Sequence, residues 1–235
     1  TAAFLLLIIG MIALSGGDDD EPNSSETSSE NVDPLTVGRV AFFDFDSRNI
    51  SSSGEKPLQL VPLKRKADFS NTGFKPTSKR SLVLDKNHFF KLAIKDTAIG
   101  IDDSLFTVSF WIQPNTSADN LLSLRSKQPW NDSNSLPVGD NFNKNLSKTV
   151  IYGNTWNMVT MVFDKSNNTV LVYVDGQLIS DSKTDEISNS SSDGFIYIGC
   201  DSKGNSMHIT PVLIDDLAIW DRALGDEEII DLYNQ

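Results

Sequence analysis

The stretch VLIDDLAIWDRALGDEEIIDLY, Val212–Tyr233, decides the fold. Its first half alternates with the period of a β-strand: Asp215, Leu217 and Ile219 fall on one side, Ile214, Asp216, Ala218 and Trp220 on the other. Arg222-Ala223-Leu224 reads as a turn, and Gly225 and Asp226 stand where a helix start is expected. Glu227 and Glu228 then suit the positive end of the helix dipole, while Ile229, Ile230, Leu232 and Tyr233 supply apolar contacts. Nearly everything upstream reads as short strands, so the chain is expected to be all-β with one short C-terminal helix.

Working outward, Phe106–Gln113 is the clearest strand. Thr107, Ser109 and Trp111 share one side, Phe106, Val108, Phe110 and Ile112 the other, and Pro114 ends it. Trp156–Phe163 and Thr169–Val174 follow the same rule, and Asp175-Gly176 is a tight hairpin turn before Gln177–Ile179. Gly38–Asp46 is the first strand, Ser81–Lys95 is two strands around a turn at Asp85-Lys86-Asn87, and Phe195–Cys200 is a late one. Asn49–Gly73 is polar with an apolar beat at Leu58, Leu60, Val61 and Leu63, consistent with a loop and a weak strand. Leu121–Leu124 can be a strand, but Ser126–Lys148 is rich in Asn, Ser and Asp and has no period; loops of that length are uncommon unless functional or disordered.

The closing pattern I-D-D-L-x-I-W-x-R-A-L-x-x-E-E-I-x-x-L-Y resembles the final strand and helix of laminin-G-like domains of the concanavalin A type. GRVAFFDFD, FTVSFWIQP, WNMVTMVF, VYVDGQL and FIYIG resemble further motifs of that family and occur in its order, from Gly38 to Tyr233. The resemblance implies a jelly-roll β-sandwich of two antiparallel sheets. It also implies one structural Ca2+ at the sandwich edge, at the family positions occupied here by Asp46 and Asp215. The residues alone allow a second role for these two acids, as acceptors of backbone N–H bonds at turns.

Composition narrows the function. The 235 residues carry a formal net charge of -12, which argues against nucleic acid and against anionic lipid head groups. The lone Cys200 cannot form an internal disulfide and sits in a strand pattern as a buried thiol. His88 and His208 are far apart in sequence, so a zinc site built on Cys and His is not expected.

Ala2–Leu14 is a continuous apolar run of signal-peptide length, and residues 1–16 are read as a signal or anchor segment. With no methionine at Thr1 and no basic n-region, the natural start is expected upstream. Leu14-Ser15-Gly16-Gly17 resembles a bacterial lipoprotein lipobox with glycine in place of the lipidated cysteine. Asp18-Asp19-Asp20-Glu21 resembles the surface-export signal of Bacteroidota lipoproteins. An altered residue, a cleaved secretory signal and an uncleaved anchor are all compatible. Each places the domain outside the cytoplasm, at an outer membrane, on the cell surface or in the extracellular space, with membrane contact only through this segment. Residues 17–36 hold almost nothing apolar and are expected to be a flexible acidic linker, with the domain at 37–235.

An enzyme is not expected. Glycosidases on the resembled fold carry E-x-D-x-x-E or E-x-D-x-E on one strand, and no strand here offers such a pair. The acidic doublets Asp102-Asp103 and Asp185-Glu186 read as solvated turns. The expected function is a surface binding module for carbohydrate or adhesion; the alternative is a structural subunit docked on a neighbouring envelope protein. The candidate ligand site is the polar excursion: Trp130 and Phe142 offer ring faces to a sugar, and Asn131, Asp132 and Asn134 offer amide and carboxylate groups to its hydroxyls. Trp130 could equally fold back as a loop anchor. Trp111, Trp156 and Trp220 sit in strand patterns and read as core or semi-core packing.

Overall fold

A computed structural model describes residues 33–54, 57–93, 105–114, 154–164, 166–167, 169–183, 195–199 and 211–235, all within one unit, Asp33–Gln235. Among these residues two antiparallel sheets form. The large one runs β3 (Phe69–Ser70), β4 (Ser81–Leu84), β11 (Val212–Trp220), β6 (Leu105–Pro114), β7 (Asn157–Asp164), β8 (Thr169–Val174) and β9 (Gln177–Lys183), with β1 (Arg39–Phe43) also on β11. The small one runs β10 (Phe195–Ile198), β5 (Phe90–Ala93) and β2 (Leu60–Pro62). The two strands expected around Asp85-Lys86-Asn87 are present as β4 and β5, but each belongs to a different sheet, so this turn carries the chain across the sandwich.

The period-two patterns decide which side chains meet. Phe106, Val108, Phe110 and Ile112 of β6, Val159, Met161 and Phe163 of β7, and Val170, Val172 and Val174 of β8 join one buried core with Leu60, Leu82, Leu84, Phe90 and Leu92. At roughly 25 cal/mol per Å² of buried apolar surface, this inter-sheet layer dominates stability. The Asp175-Gly176 hairpin has φ of 50° and 75°, as a tight primed turn requires, and Asp175 accepts the Met158 amide at 2.8 Å and the Asn157 side-chain amide at 2.9 Å.

The other face of the large sheet is covered by α1 (Asp226–Asn234). Ile229 and Leu224 pack there on Met158, Val162, Tyr173, Ala218 and Trp220, with Leu232 partly buried beside them. Ile230 and Tyr233 remain 46% and 38% exposed, so only part of the apolar stripe expected on this helix is used for the core. The Glu228 carboxylate accepts the Gly225 amide at 2.9 Å and pairs with both terminal nitrogens of Arg222, at 2.7 and 2.9 Å. Those bonds fix the helix start where glycine offers no capping side chain.

Packing begins ahead of Val37. Leu35 is buried in a short 3-10 turn (Pro34–Thr36), its carbonyl accepts the Trp220 indole N–H at 2.8 Å, and Arg222 donates to the carbonyls of Val37 and Pro34. Residues 33–36, expected in the linker, therefore contribute to the folded unit.

Candidate functional site

One irregularity in β11 organises the candidate site. Ile214 stands opposite Ile112, Asp215 opposite Trp111, Ala218 opposite Ser109 and Ile219 opposite Val108. Asp216 and Leu217 together therefore oppose Phe110 alone, which is a β-bulge, and Asp216 takes a φ of 45°. The bulge shifts the alternation by one. Leu217 and Ile219 join Ile214 in the inter-sheet core, while Asp215 lies with Ala218 and Trp220 on the helix-covered face. This corrects the strict alternation read from the sequence, which grouped Asp215 with Leu217 and Ile219. Pattern alone cannot register an inserted residue. The bulge also falls where the free edge of β11 changes partner, from β4 at Val212–Ile214 to β1 at Leu217–Trp220.

The gap between β4 and β1 is closed by the segment 72–80. The Phe74 amide donates to Asp215 Oδ2 at 3.0 Å, and the Asp216 amide donates to Asp215 Oδ1 at 3.0 Å. Asp46 Oδ1 accepts the amides of Lys79 and Arg80, and the Arg80 guanidinium donates to the Asp46 carbonyl at 2.7 Å. Asp215 is fully buried. Burial, assisted by the charges of Asp216 and Asp46, pushes its carboxyl up to about 7 against the two amide bonds that hold it down. Asp216 is pushed up to about 6, again mainly by burial, with Lys75 opposing.

A row of rings lies on this face. Phe74 stacks on Trp111 with centroids 4.2 Å apart and planes 13° from parallel. Tyr233, from the last turn of α1, stacks on Trp111 at 5.8 Å, and Trp156 meets Phe74 edge-on at 6.4 Å. Lys75 Nζ sits 4.6 Å from the Phe74 centroid and 3.9 Å from Asp216 Oδ2. Phe74, Trp111 and Trp156 are partly exposed, whereas Trp220 is fully buried.

The row stands close in sequence to the two described residues that flank positions 115–153. The Asn154 amide donates to the Pro114 carbonyl at 2.7 Å, and the Gln113 side-chain amide donates to the Asn154 carbonyl at 3.1 Å. These bonds tie together the two ends of residues 115–153, three positions from Trp111 on one side and two from Trp156 on the other. Trp130, Asn131, Asp132, Asn134 and Phe142 themselves lie outside the described residues, as do Cys200 and the doublets Asp102-Asp103 and Asp185-Glu186.

Of the sequence-derived site residues, the described ones are thus Asp46 and Asp215. Both sit at the junction of β1, β11 and the 72–80 segment, and both act as acceptors of backbone amides. Among the described residues no three His, Cys, Asp or Glu side chains are placed to hold a metal ion. Asp215 has both oxygens engaged and faces no solvent, so the donor set as arranged does not fit Ca2+. Phe74, Lys75, Trp156 and Tyr233 are the additions that sequence reasoning did not supply. Phe74 lies in an aperiodic polar stretch, and its contact with Trp111 spans strands far apart in sequence.

The family model described as the concanavalin A-like lectin/glucanases superfamily (Laminin_G_3) matches residues 91–230. No curated protein matches the chain in sequence. Among solved structures, the binding domain of botulinum neurotoxin DC in complex with rat synaptotagmin II is similar, at 14% identity and a TM-score of 0.56. The same domain in complex with SialylT gives 15% and 0.58. A botulinum neurotoxin type C structure, titled for dependence of cell entry on two ganglioside molecules, gives 15% and 0.55. Each alignment covers 84% of this chain and 51% of the other, so the chain spans about half the length of these binding domains. The shared feature is the fold.

Proposed function

The chain belongs to the concanavalin A-like lectin/glucanases superfamily, and we propose that it is a non-catalytic binding module whose ligand is a carbohydrate. One observation carries this reading: a row of partly exposed rings, flanked by Lys75 and Asp216, stands beside Pro114 and Asn154, the bonded residues on either side of positions 115–153. Phe74 and Trp111 cover one another, so Trp156 and Tyr233 at the two ends are the rings offered to a sugar face. Lys75, Asp216 and, from the excursion, Asn131, Asp132 and Asn134 would read its hydroxyls, with Trp130 and Phe142 as further rings. That solved relatives of the same fold carry titles naming SialylT and gangliosides is consistent with this ligand class.

Chemistry at the site favours binding over catalysis. Among the described residues the carboxyls raised furthest, Asp215 and Asp216, are adjacent in the chain, and Asp215 is buried with both oxygens engaged. Glycoside hydrolysis asks instead for two acids about 5–10 Å apart across an open cleft. With Ala2–Leu14 read as an export signal, the module works at the cell surface.

A protein-docking role is favoured by a different observation. Leu178, Ile230 and Tyr233 are 49%, 46% and 38% exposed, and the Asp175-Gly176 turn lies against Ile230 and Tyr233. They form an apolar edge that suits a neighbouring protein. A glycan array screened with the whole chain and with its Trp156→Ala and Trp130→Ala variants distinguishes the two. Glycan binding lost in either variant supports the lectin reading, and a blank array from folded protein overturns it.

A further inference from the structure

Exposed apolar surface gathers where α1 meets the β8–β9 hairpin. Of the five large hydrophobic side chains exposed among the described residues, three lie here: Leu178, Ile230 and Tyr233. Contacts and register place them together. A Cβ built on Gly176 would sit 3.6 Å from Ile230 Cα and 3.6 Å from Tyr233 Cβ, so the hairpin turn rests against the helix. Leu178, two positions on, stands opposite Tyr173, which belongs to the cluster beneath the helix. Ile230 and Tyr233 are three positions apart and share one helix face, with Glu227 a turn before Ile230.

The charge around this trio is one-sided. β9 and α1 together hold five acids, Asp181, Asp226, Glu227, Glu228 and Asp231, and one cation, Lys183, opposite Thr169 at the far end of β9. Two of the acids are answered inside the fold, Glu228 by Arg222 and Asp226 by the Tyr173 hydroxyl at 2.6 Å. Asp181, Glu227 and Asp231 are exposed and take part in none of the ion pairs found among the described residues. A bulge at Ile179 matters here. It sets Leu178 opposite Tyr173 and Asp181 opposite Leu171, so the leucine and the acid share the helix-side face although three positions apart. The last turn of α1 carries no basic residue, and its carbonyl pole adds to the negative field.

We propose that this face receives an amphipathic helix of a neighbouring protein whose apolar stripe is bordered by lysine or arginine. The proposal rests on the protein-docking reading of this edge and not on the carbohydrate site, since Leu178, Ile230 and the three free acids lie outside the sugar-facing set. Burial of the trio drives association, and the acidic rim selects the partner. A second copy of the chain would set Glu227 and Asp231 against their own kind, and an anionic lipid surface would meet the same repulsion. A helix fits because α1 offers a ridge at i, i+3 spacing with the hairpin beside it. Lying antiparallel to α1, the incoming helix brings its positive N-terminal pole to the negative end of α1.

Labelled peptides LKKLLKLLKKLLKL and LEELLELLEELLEL are the probes, and a shuffled lysine peptide of the same composition without an apolar stripe is the control. Anisotropy is measured with the whole chain, with Leu178→Ser/Ile230→Ser and with Asp181→Lys/Glu227→Lys/Asp231→Lys. At about 50 mM salt the patterned lysine peptide should bind at least about ten-fold more tightly than the shuffled one. Both variants should lose at least about ten-fold of that affinity with unchanged melting temperatures, and the reversal variant should take up the glutamate peptide instead. Trp156→Ala should bind the lysine peptide as the unaltered chain does, which separates this surface from the sugar site. No binding of the lysine peptide, equal binding of the shuffled one, or indifference to Leu178→Ser/Ile230→Ser overturns the proposal and removes the edge as a docking surface. Tighter binding of the glutamate peptide or of phosphatidylcholine vesicles by the unaltered chain, or self-association that Ile230→Ser abolishes, overturns the choice of partner and leaves the edge in place.

Discussion

Asp215 and Trp111 face each other across the β6–β11 ladder, and one residue covers both: Phe74, whose amide binds the Asp215 carboxylate while its ring stacks on the Trp111 indole. The bulge at Asp216 makes this possible, because it turns Asp215 out of the inter-sheet core and onto the face where the rings gather. A buried acceptor thus holds in place the segment that completes the aromatic row.

The first prediction concerns pH. Asp215 and Asp216 are raised to about 7 and about 6 in the folded chain, above the ordinary carboxyl value of 3.8. A raised carboxyl favours the protonated folded state, so its contribution is fully present below about pH 4 and is lost as pH rises through 6 to 7. The melting temperature should therefore fall between about pH 5 and pH 8. In Asp215→Asn that slope should flatten, even though one amide loses its acceptor at a cost of about 1–3 kcal/mol. Melts across a pH series that keep the same slope in the variant would contradict the assignment.

Gly73 should not tolerate alanine. A Cβ there would run into Ser78 and come within 2.8 Å of Asp215 Oδ2. Gly73→Ala should cost about 1–3 kcal/mol and lift Phe74 from Trp111, which acrylamide quenching of tryptophan emission would report as increased access. Unchanged quenching and stability would show that the segment is not seated as described.

The N-terminal edge of the fold should matter beyond its length. Leu35 is 3% exposed and its carbonyl holds the buried Trp220 indole. Leu35→Ala should destabilise by about 2–3 kcal/mol, visible in chemical denaturation. No change would return residues 33–36 to the linker.

Added calcium or a chelator should leave the melting temperature unmoved, since Asp46 and Asp215 already bind backbone amides. A calcium-dependent rise would show that the ion displaces those amides and restores the role implied by the family resemblance.

Much of the architecture was legible because it rests on periodicity. Phe106, Val108, Phe110 and Ile112 alternate without interruption, and the closing strand-helix motif lies in a single stretch. The bulge was not legible, since Val212–Trp220 alternates plausibly in either register and only the ladder with β6 reveals the inserted residue. The aromatic row was hidden for another reason. Phe74 reaches Trp111 through a hydrogen bond to Asp215, 141 positions away, and no local pattern encodes such a contact.

The most direct measurement is a titration of the strongest glycan from an array against the whole chain, Trp156→Ala and Ile230→Ser. Loss of a stacked ring should weaken binding by about 1–2 kcal/mol, roughly a ten-fold rise in Kd, in Trp156→Ala, with Ile230→Ser unchanged. Equal affinity in Trp156→Ala, or no glycan bound by the folded chain, would contradict a carbohydrate site at the aromatic row.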